Sequence, residues 1–111
     1  MISLPDLWGD EPCSTWPVRE RGTYHGPWNA PTSRILVIGN TTDPSTPLRN
    51  AIVMARELAS ARLLIVHQYG HTEFLNPDTC ASHYETDYFL TGALPPAGTV
   101  CQQKLRPFAA P

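Results

Sequence analysis

The chain has 111 residues, a net charge of −2 and 41% hydrophobic residues. This length suits one small domain with a modest core. The sequence has no basic run and no interleaving of basic and aromatic residues, so a nucleic-acid surface is not expected. Its apolar runs are far shorter than a membrane span, and no signal peptide is visible.

Residues 1–33 are predicted to form an irregular segment that precedes the main fold. Five prolines interrupt every candidate helix or strand there, and three tryptophans are spread among them. Because this segment shows so little periodicity, we expect it to be ordered by packing against another part of a protein.

A strand and a helix are predicted next. Residues 34–39 form a continuous apolar run rich in β-branched side chains, which is typical of a strand covered on both faces. A helix over 47–59 follows, because its apolar residues recur at helical spacing. Thr46 is the expected N-cap, and Pro47 fits the first helical position.

A second strand and a second helix complete the pattern. Residues 62–67 form another apolar strand that ends in a glycine turn. Asn76 and Pro77 are expected to begin the second helix and Gly92 to end it, leaving an extended or irregular tail. Strand, helix, strand and helix with short connections predict a right-handed βαβ unit in a parallel sheet. Two parallel strands need cover on both faces and edges, so the chain is expected to be the end of a larger doubly wound α/β domain.

An acid and a histidine follow the two predicted strands. Asp43 lies five residues past Ile38, and His71 lies five past Val66. Because functional side chains of open α/β sheets gather beyond the carboxyl ends of the strands, we expect these two to meet. The carboxylate could accept the Nδ1 proton of the imidazole and stabilise the imidazolium during proton transfer. Acid followed by histidine is the later part of the Ser–Asp–His order of α/β hydrolases.

Other interpretations of these residues stay open. Asp43 within TTDPST is typical of an Asx turn, and a single histidine after a glycine is more often a surface residue. A metal site of Asp43, His67 and His71 lacks the close spacing of metal-binding motifs, and His25 and His83 lie near neither strand end. No glycine-rich nucleotide motif follows the first strand, so no cofactor is expected. The three cysteines contain no Cys-x-x-Cys pair, and their spacing alone is compatible with reduced, partly buried thiols.

Several motifs together carry a family resemblance. TDPSTP at 42–47, GHT at 70–72 and GTVC at 98–101 lie in a region, residues 34–101, that resembles the C-terminal part of TAP-like (tripeptidyl-aminopeptidase-like) α/β hydrolases. These are secreted actinobacterial proteins grouped with serine peptidases of the proline-iminopeptidase type. CSTWP at 13–17 resembles the segment that precedes this region in the family. Asn40 stands where the family often has glycine, which a turn position tolerates.

The resemblance implies a role for each matching residue. Asp43 would be the acid of a catalytic triad and His71 its base. Cys80 and Cys101 would form a disulfide that ties the tail to the last helix, and Cys13 would pair with a cysteine earlier in a full-length protein. Residues 34–111 would then be the C-terminal α/β-hydrolase region of a secreted or extracytoplasmic protein.

The sequence departs from the family in its nucleophile. No serine lies in a Gly-x-Ser-x-Gly motif, and no His-Gly-Gly-Gly oxyanion loop is present. An acid–base pair without these parts lacks both the covalent step and the main electrostatic contribution. We therefore expect the C-terminal part of a serine hydrolase, inactive alone, whose upstream portion or partner chain carries the serine. The favoured activity is an exopeptidase that releases short peptides from N-termini.

Two other functions and one assembly remain compatible with the sequence. An esterase would share the fold and the triad. A non-catalytic accessory domain could instead stabilise a partner hydrolase by completing its sheet. A bare strand edge also favours association, so a homo-oligomer formed through that edge is a further expectation.

Overall fold

A three-stranded parallel sheet with two helices organises the chain. The computed structural model describes residue 17, residues 21–73 and residues 78–104. The strands lie side by side in the order β1, β2, β3, and both neighbouring pairs are parallel. In chain order the elements are β1 (Ile35–Thr42), α1 (Leu48–Glu57), β2 (Ala61–Tyr69), α2 (Thr79–Thr91) and β3 (Val100–Gln102).

The predicted βαβ unit is confirmed. β1 pairs in parallel with β2 from Ile35 opposite Ala61 to Asn40 opposite Val66, and α1 is the connection between the two strands. The second helix also ends as expected, because Gly92 adopts a left-handed conformation (φ 71°) and its N–H donates to the Tyr88 carbonyl.

Two details of the prediction are wrong, and a third is made more specific. The tail, expected to be extended or irregular, is extended at β3, which adds a third strand next to β2. Thr46 does not cap α1: the N-cap is Pro47, no side chain bonds the helix start, and the Thr46 hydroxyl is held by Asp43 instead. The second helix begins at Thr79, where the Asp78 side chain accepts hydrogen bonds from the N–H groups of two first-turn residues. Asn76 and Pro77 lie outside the described residues, as does Cys13.

The two helices cover opposite faces of the sheet. On one face a buried cluster forms around Leu64, Val66, Ala81 and Cys101, with Leu36 and Ile38 of β1, Cys80 and Tyr84 packed against it. Gly39 of β1 points to the other face, since successive residues of a strand alternate, and there it meets α1. Neither helix in the described part of the chain has the length and hydropathy to cross a bilayer.

A disulfide joins β3 to the first turn of α2. Cys80 and Cys101 are bonded, with their Cα atoms 5.6 Å apart and a sequence separation of 21 residues. Cys101 is only 1% exposed and belongs to the core. The bond therefore holds a three-residue strand against the helix, and the structure contains the pairing that the family resemblance implied.

Replacing this disulfide should cost substantial stability. For the double variant Cys80→Ser/Cys101→Ser we expect a loss of about 3 kcal/mol in the free energy of unfolding, because a loop of this length is no longer closed in the unfolded chain. Urea denaturation of the 111-residue chain measures it. Reduction of the unmodified chain should reproduce the loss, and a loss below about 1 kcal/mol would contradict the structural role.

The close packing of α1 on β1 makes a second prediction. A Cβ atom added at Gly39 would lie 2.8 Å from Ala51 Cβ and 2.8 Å from Leu48 Cδ1, whereas one added at Gly22 would meet nothing within 4 Å. Gly39→Ala should therefore destabilise the chain by about 1–3 kcal/mol through overpacking. Gly22→Ala is the matched control and should stay within about 0.5 kcal/mol. Equal urea midpoints for the two variants would refute the packing.

Candidate active site

Asp43 organises the turn that leaves the carboxyl end of β1. The pairing of β1 with β2 shifts register between Asn40 and Thr42, an irregularity of the kind that bends a strand and redirects the chain beyond it. After this irregularity, Asp43 Oδ1 accepts hydrogen bonds from the backbone N–H of Ser45 and of Thr46, both at 2.8 Å. The Thr46 hydroxyl donates to Oδ2 at 2.8 Å. Asp43 thus forms the Asx-type turn that its sequence context indicates.

The same carboxylate faces His71. β2 ends at Tyr69, Gly70 takes a positive φ of 107°, and the chain then presents the His71 ring. Its Nδ1 atom lies 3.0 Å from each carboxylate oxygen of Asp43. Because an ionised carboxylate can only accept, the ring carries a proton on Nδ1. The turn hydrogen bonds of Asp43 and its contact with His71 are therefore present at the same time.

Hydrogen bonds keep Asp43 ionised. The Asp43 residue as a whole is half-buried, but its side chain is only 2% exposed, while that of His71 is 44% exposed. Burial alone would raise the pKa of Asp43. Donors from Thr46, Thr72 and Ser45 outweigh it and hold the pKa of this carboxyl far below its ordinary value of 3.8. At neutral pH the carboxylate is therefore a charged, oriented acceptor for the His71 ring.

The residue after His71 has a strained backbone. Among the described residues, Thr72 is the one residue other than glycine that has a positive φ, at 58°. A β-branched residue in this region is an outlier, with a cost of order 1–3 kcal/mol, and such residues cluster at functional sites. Its N–H donates to Asp43 Oδ2 at 3.1 Å, and its carbonyl accepts from Gln68 Nε2 at 3.1 Å. Hydrogen bonds therefore restrain both the N–H and the carbonyl of Thr72.

A cavity of about 500 Å³ lies along β1 next to this pair. Four consecutive β1 residues line it, together with residues of α1 from one face and Glu85 of α2 from the other. Because consecutive strand residues point to opposite faces, this cavity follows the edge of β1. Among the described residues no strand pairs with that edge. Asn40, 3% exposed, lines the cavity, and neither polar atom of its amide has a hydrogen-bond partner in the described part of the chain.

Two glutamates form a carboxyl pair beside the histidine turn. Glu73, 5% exposed, accepts hydrogen bonds at Oε1 from the N–H of Asp78 at 3.2 Å and from the Ser82 hydroxyl at 2.9 Å. Burial, then the facing carboxyl of Glu73, raise the pKa of Glu85 above its ordinary value. Sequence reasoning missed this pair, as it missed Gln68. Gln68 and Glu73 lie near His71 in the sequence, but their hydrogen-bond partners are set by the folded turn and by α2, which no local pattern indicates.

The remaining histidines do not join the site. His67 is exposed and lines a different depression with Gln102 and Gln103, and His83 lies 3.5 Å from Asp87 on the exposed side of α2. His25 lies in the exposed segment before β1.

A metal site also gains no support from the geometry. Within the described ranges, the group of three potential metal ligands close enough to share an ion is Asp78, Cys80 and Cys101. The two thiols of that group are consumed in the disulfide, so it offers no thiolate to a metal.

Comparison with known families agrees with this geometry. The family model described as TAP-like protein matches residues 4–101 of the chain. The chain belongs to the TAP-like family of α/β hydrolases. The parallel sheet covered by helices on both faces is consistent with part of that fold.

Relatives of this TAP-like chain include hydrolases of several kinds. Carboxylesterase B of Mycobacterium tuberculosis is 33% identical over 80% of the chain and 17% of its own length. Serine protease Hip1 of the same species is 33% identical over 90% of the chain and 20% of its own length. Tripeptidyl aminopeptidase of Streptomyces coelicolor is 26% identical over 96% of the chain and 20% of its own length. The chain thus spans about a fifth of the length of the relatives it matches.

The charge on Asp43 makes stability sensitive to acid. A carboxyl whose pKa is lowered by folding stabilises the fold above its ordinary value of 3.8, and that contribution is lost as the pH falls below it. Urea titrations between about pH 2 and 7 give the free energy of unfolding at each pH. As the pH is lowered, this free energy should decrease more steeply for the unmodified chain than for Asp43→Asn. Glu57→Gln, at an exposed position at the end of α1, is the control and should follow the unmodified chain. Parallel curves for all three proteins would show that Asp43 carries no such charge-dependent contribution.

Proposed function

We propose that this chain supplies the acid and the base of a serine-hydrolase triad, with Asp43 as the acid and His71 as the base. The observation that carries the proposal is the 3.0 Å approach of His71 Nδ1 to both carboxylate oxygens, beyond the carboxyl ends of adjacent parallel strands. The family match over residues 4–101 supports it. The nucleophilic serine would come from residues beyond these 111.

The geometry suits the chemistry of acyl transfer. With Nδ1 held by the carboxylate, Nε2 is the nitrogen that takes a proton from the serine hydroxyl as that oxygen attacks the substrate carbonyl. The imidazolium that forms is stabilised by the adjacent negative charge of Asp43. His71 then returns the proton to the leaving group, and a water molecule repeats the sequence to release the acyl product.

The cavity along β1 supports a place for the nucleophile-bearing portion. An unpaired strand edge presents N–H and C=O groups to any extended segment. The cavity along this edge is lined by residues from both faces of the sheet. A strand of an upstream portion or partner chain would pair there. The relatives are about five times as long as the matched region, so their remaining length is ample to provide one. A second copy of this chain at the same edge would give the homo-oligomer instead.

An exopeptidase acting on short peptides is the activity we favour. Relatives named serine protease and tripeptidyl aminopeptidase each match at least nine-tenths of the chain. The substrate would be the N-terminal end of a peptide, and the leaving group an amine that His71 protonates. The Cys80–Cys101 disulfide supports a secreted or extracytoplasmic setting, since such bonds persist in oxidising compartments.

An esterase is the second candidate. Carboxylesterase B, which matches four-fifths of the chain at 33% identity, favours it. The same acid and base serve both reactions, and an ester has the better leaving group, so this region of the fold does not select between them. Turnover of short aminoacyl esters with no turnover of the matching amides would favour the esterase.

Reconstitution tests the catalytic proposal. The 111-residue chain alone should not hydrolyse tripeptide amides or short esters above buffer, because no serine within it lies in a nucleophile motif. Joined to or mixed with the nucleophile-bearing portion of a TAP-like hydrolase, it should hydrolyse them. In that assembly His71→Ala should abolish activity, and Asp43→Asn should lower kcat by about 10⁴-fold, because the Nδ1–H tautomer is no longer held.

His83→Ala is the control, because His83 lies on the exposed side of α2 and should keep full activity. Activity that survives His71→Ala would contradict the mechanism. Stable association without turnover, unaffected by Asp43→Asn, would favour an accessory domain that only completes a partner's sheet.

A further inference from the structure

Gln68 is a buried polar residue that the triad chemistry leaves without a role. Gln68 is 1% exposed and lies on β2, three positions before His71. The side-chain Nε2 group donates to the Thr72 carbonyl at 3.1 Å, and the backbone carbonyl of Gln68 accepts from the Thr42 hydroxyl at 2.8 Å. Gln68 therefore links the last residue of β1 to the residue after the histidine.

Thr72 needs such a partner because its backbone is strained. At a φ of 58° a β-branched residue tends to return to negative φ unless its surroundings hold it. Among the contacts of its backbone with described residues, Asp43 Oδ2 holds the N–H and Gln68 Nε2 holds the carbonyl. If the carbonyl were released, the peptide groups on either side of Thr72 could rotate. The Thr72 N–H would then leave Asp43, and the His71 ring would move with the backbone.

We propose that Gln68 is a positioning residue for His71, acting through the Thr72 carbonyl to keep Nδ1 against Asp43. The proposal rests on the base role of His71 proposed above. In the hydrolase, Gln68 would touch neither substrate nor nucleophile. Its contribution is to hold the Asp43–His71 pair in one arrangement. This matters for catalysis because small displacements of a catalytic group lower the reaction rate by large factors.

Gln68→Met tests this role, because methionine is close to glutamine in size and shape and cannot donate. In the 111-residue chain, hydrogen exchange of the Thr72 amide proton should become about tenfold faster. The exchange rate of the buried Leu64 amide reports global unfolding, and the Thr72 rate is corrected for any change in it. The ring nitrogen NMR shifts of His71 should change from a single Nδ1–H tautomer to a mixture. Gln102→Met makes the same replacement at an exposed β3 position and should change neither signal.

Relieving the strain should remove the need for Gln68. Glycine adopts positive φ without cost, so Thr72→Gly should hold the turn with fewer restraints. In a double-mutant cycle, the effect of Gln68→Met on the His71 tautomer should be clearly smaller in the Thr72→Gly background. In a reconstituted hydrolase, Gln68→Met should lower kcat by about 10- to 100-fold with little change in KM.

Three outcomes would overturn the proposal. A folded Gln68→Met chain with unchanged Thr72 exchange and unchanged His71 tautomer would show that Gln68 does not position the histidine. An equal effect in both backgrounds would show that it does not act through Thr72. Unfolding of Gln68→Met in both backgrounds would assign Gln68 a purely structural role in the core. The NMR arms need no turnover, so failed reconstitution with the expected NMR changes would count against the triad and not against Gln68.

Discussion

The Asp43 carboxylate joins the two loops that leave the carboxyl edge of the sheet. It bonds its own turn through Ser45 and Thr46, and it bonds the neighbouring loop through His71 and the Thr72 amide. The donors from Thr46, Thr72 and Ser45 favour the charged form and lower the pKa of Asp43, and together they outweigh the cost of burying the side chain. An asparagine in its place could fill the space, but its NH2 group could not accept the bonds that one of the two carboxylate oxygens now accepts. The full set of bonds between the loops therefore requires a carboxylate.

This arrangement is compatible with Asp43 being both a turn residue and the proposed catalytic acid. The hydrogen bonds that form the Asp43 turn are those that orient its carboxylate, so the acid needs no separate scaffold. Its side chain is almost fully buried, whereas that of His71 remains 44% exposed. The acid is fixed and the base is accessible, which suits a pair in which the histidine alone exchanges protons with a nucleophile and a leaving group.

The sequence predicted the parts of the fold that rest on local patterns. Two apolar runs and the amphipathic helix between them gave the βαβ unit, and the positions of Asp43 and His71 after the strands indicated that they would meet. β3 was missed because three residues are too few to show alternation. The role of Thr46 was wrong because its hydroxyl had two acceptable partners, a helix start and Asp43, and only the three-dimensional path of the turn selects one. Glu73 and its partners come from separate segments, beyond the reach of any local pattern.

Two polar side chains in unfavourable surroundings line the open edge of β1. Asn40 lies at the cavity along β1 with both amide atoms unbonded among the described residues, and Glu85 lines the same cavity with a pKa raised by burial and by the facing Glu73. The unbonded amide of Asn40 costs stability in an isolated domain, since a buried donor or acceptor without a partner bears its full desolvation penalty. The apolar face of β1, by contrast, is packed against its helices. An added strand beside β1 would bring backbone donors and acceptors to the side where bonding capacity is unused. The unbonded amide of Asn40 and the unpaired strand edge therefore both favour this location for the proposed nucleophile-bearing portion.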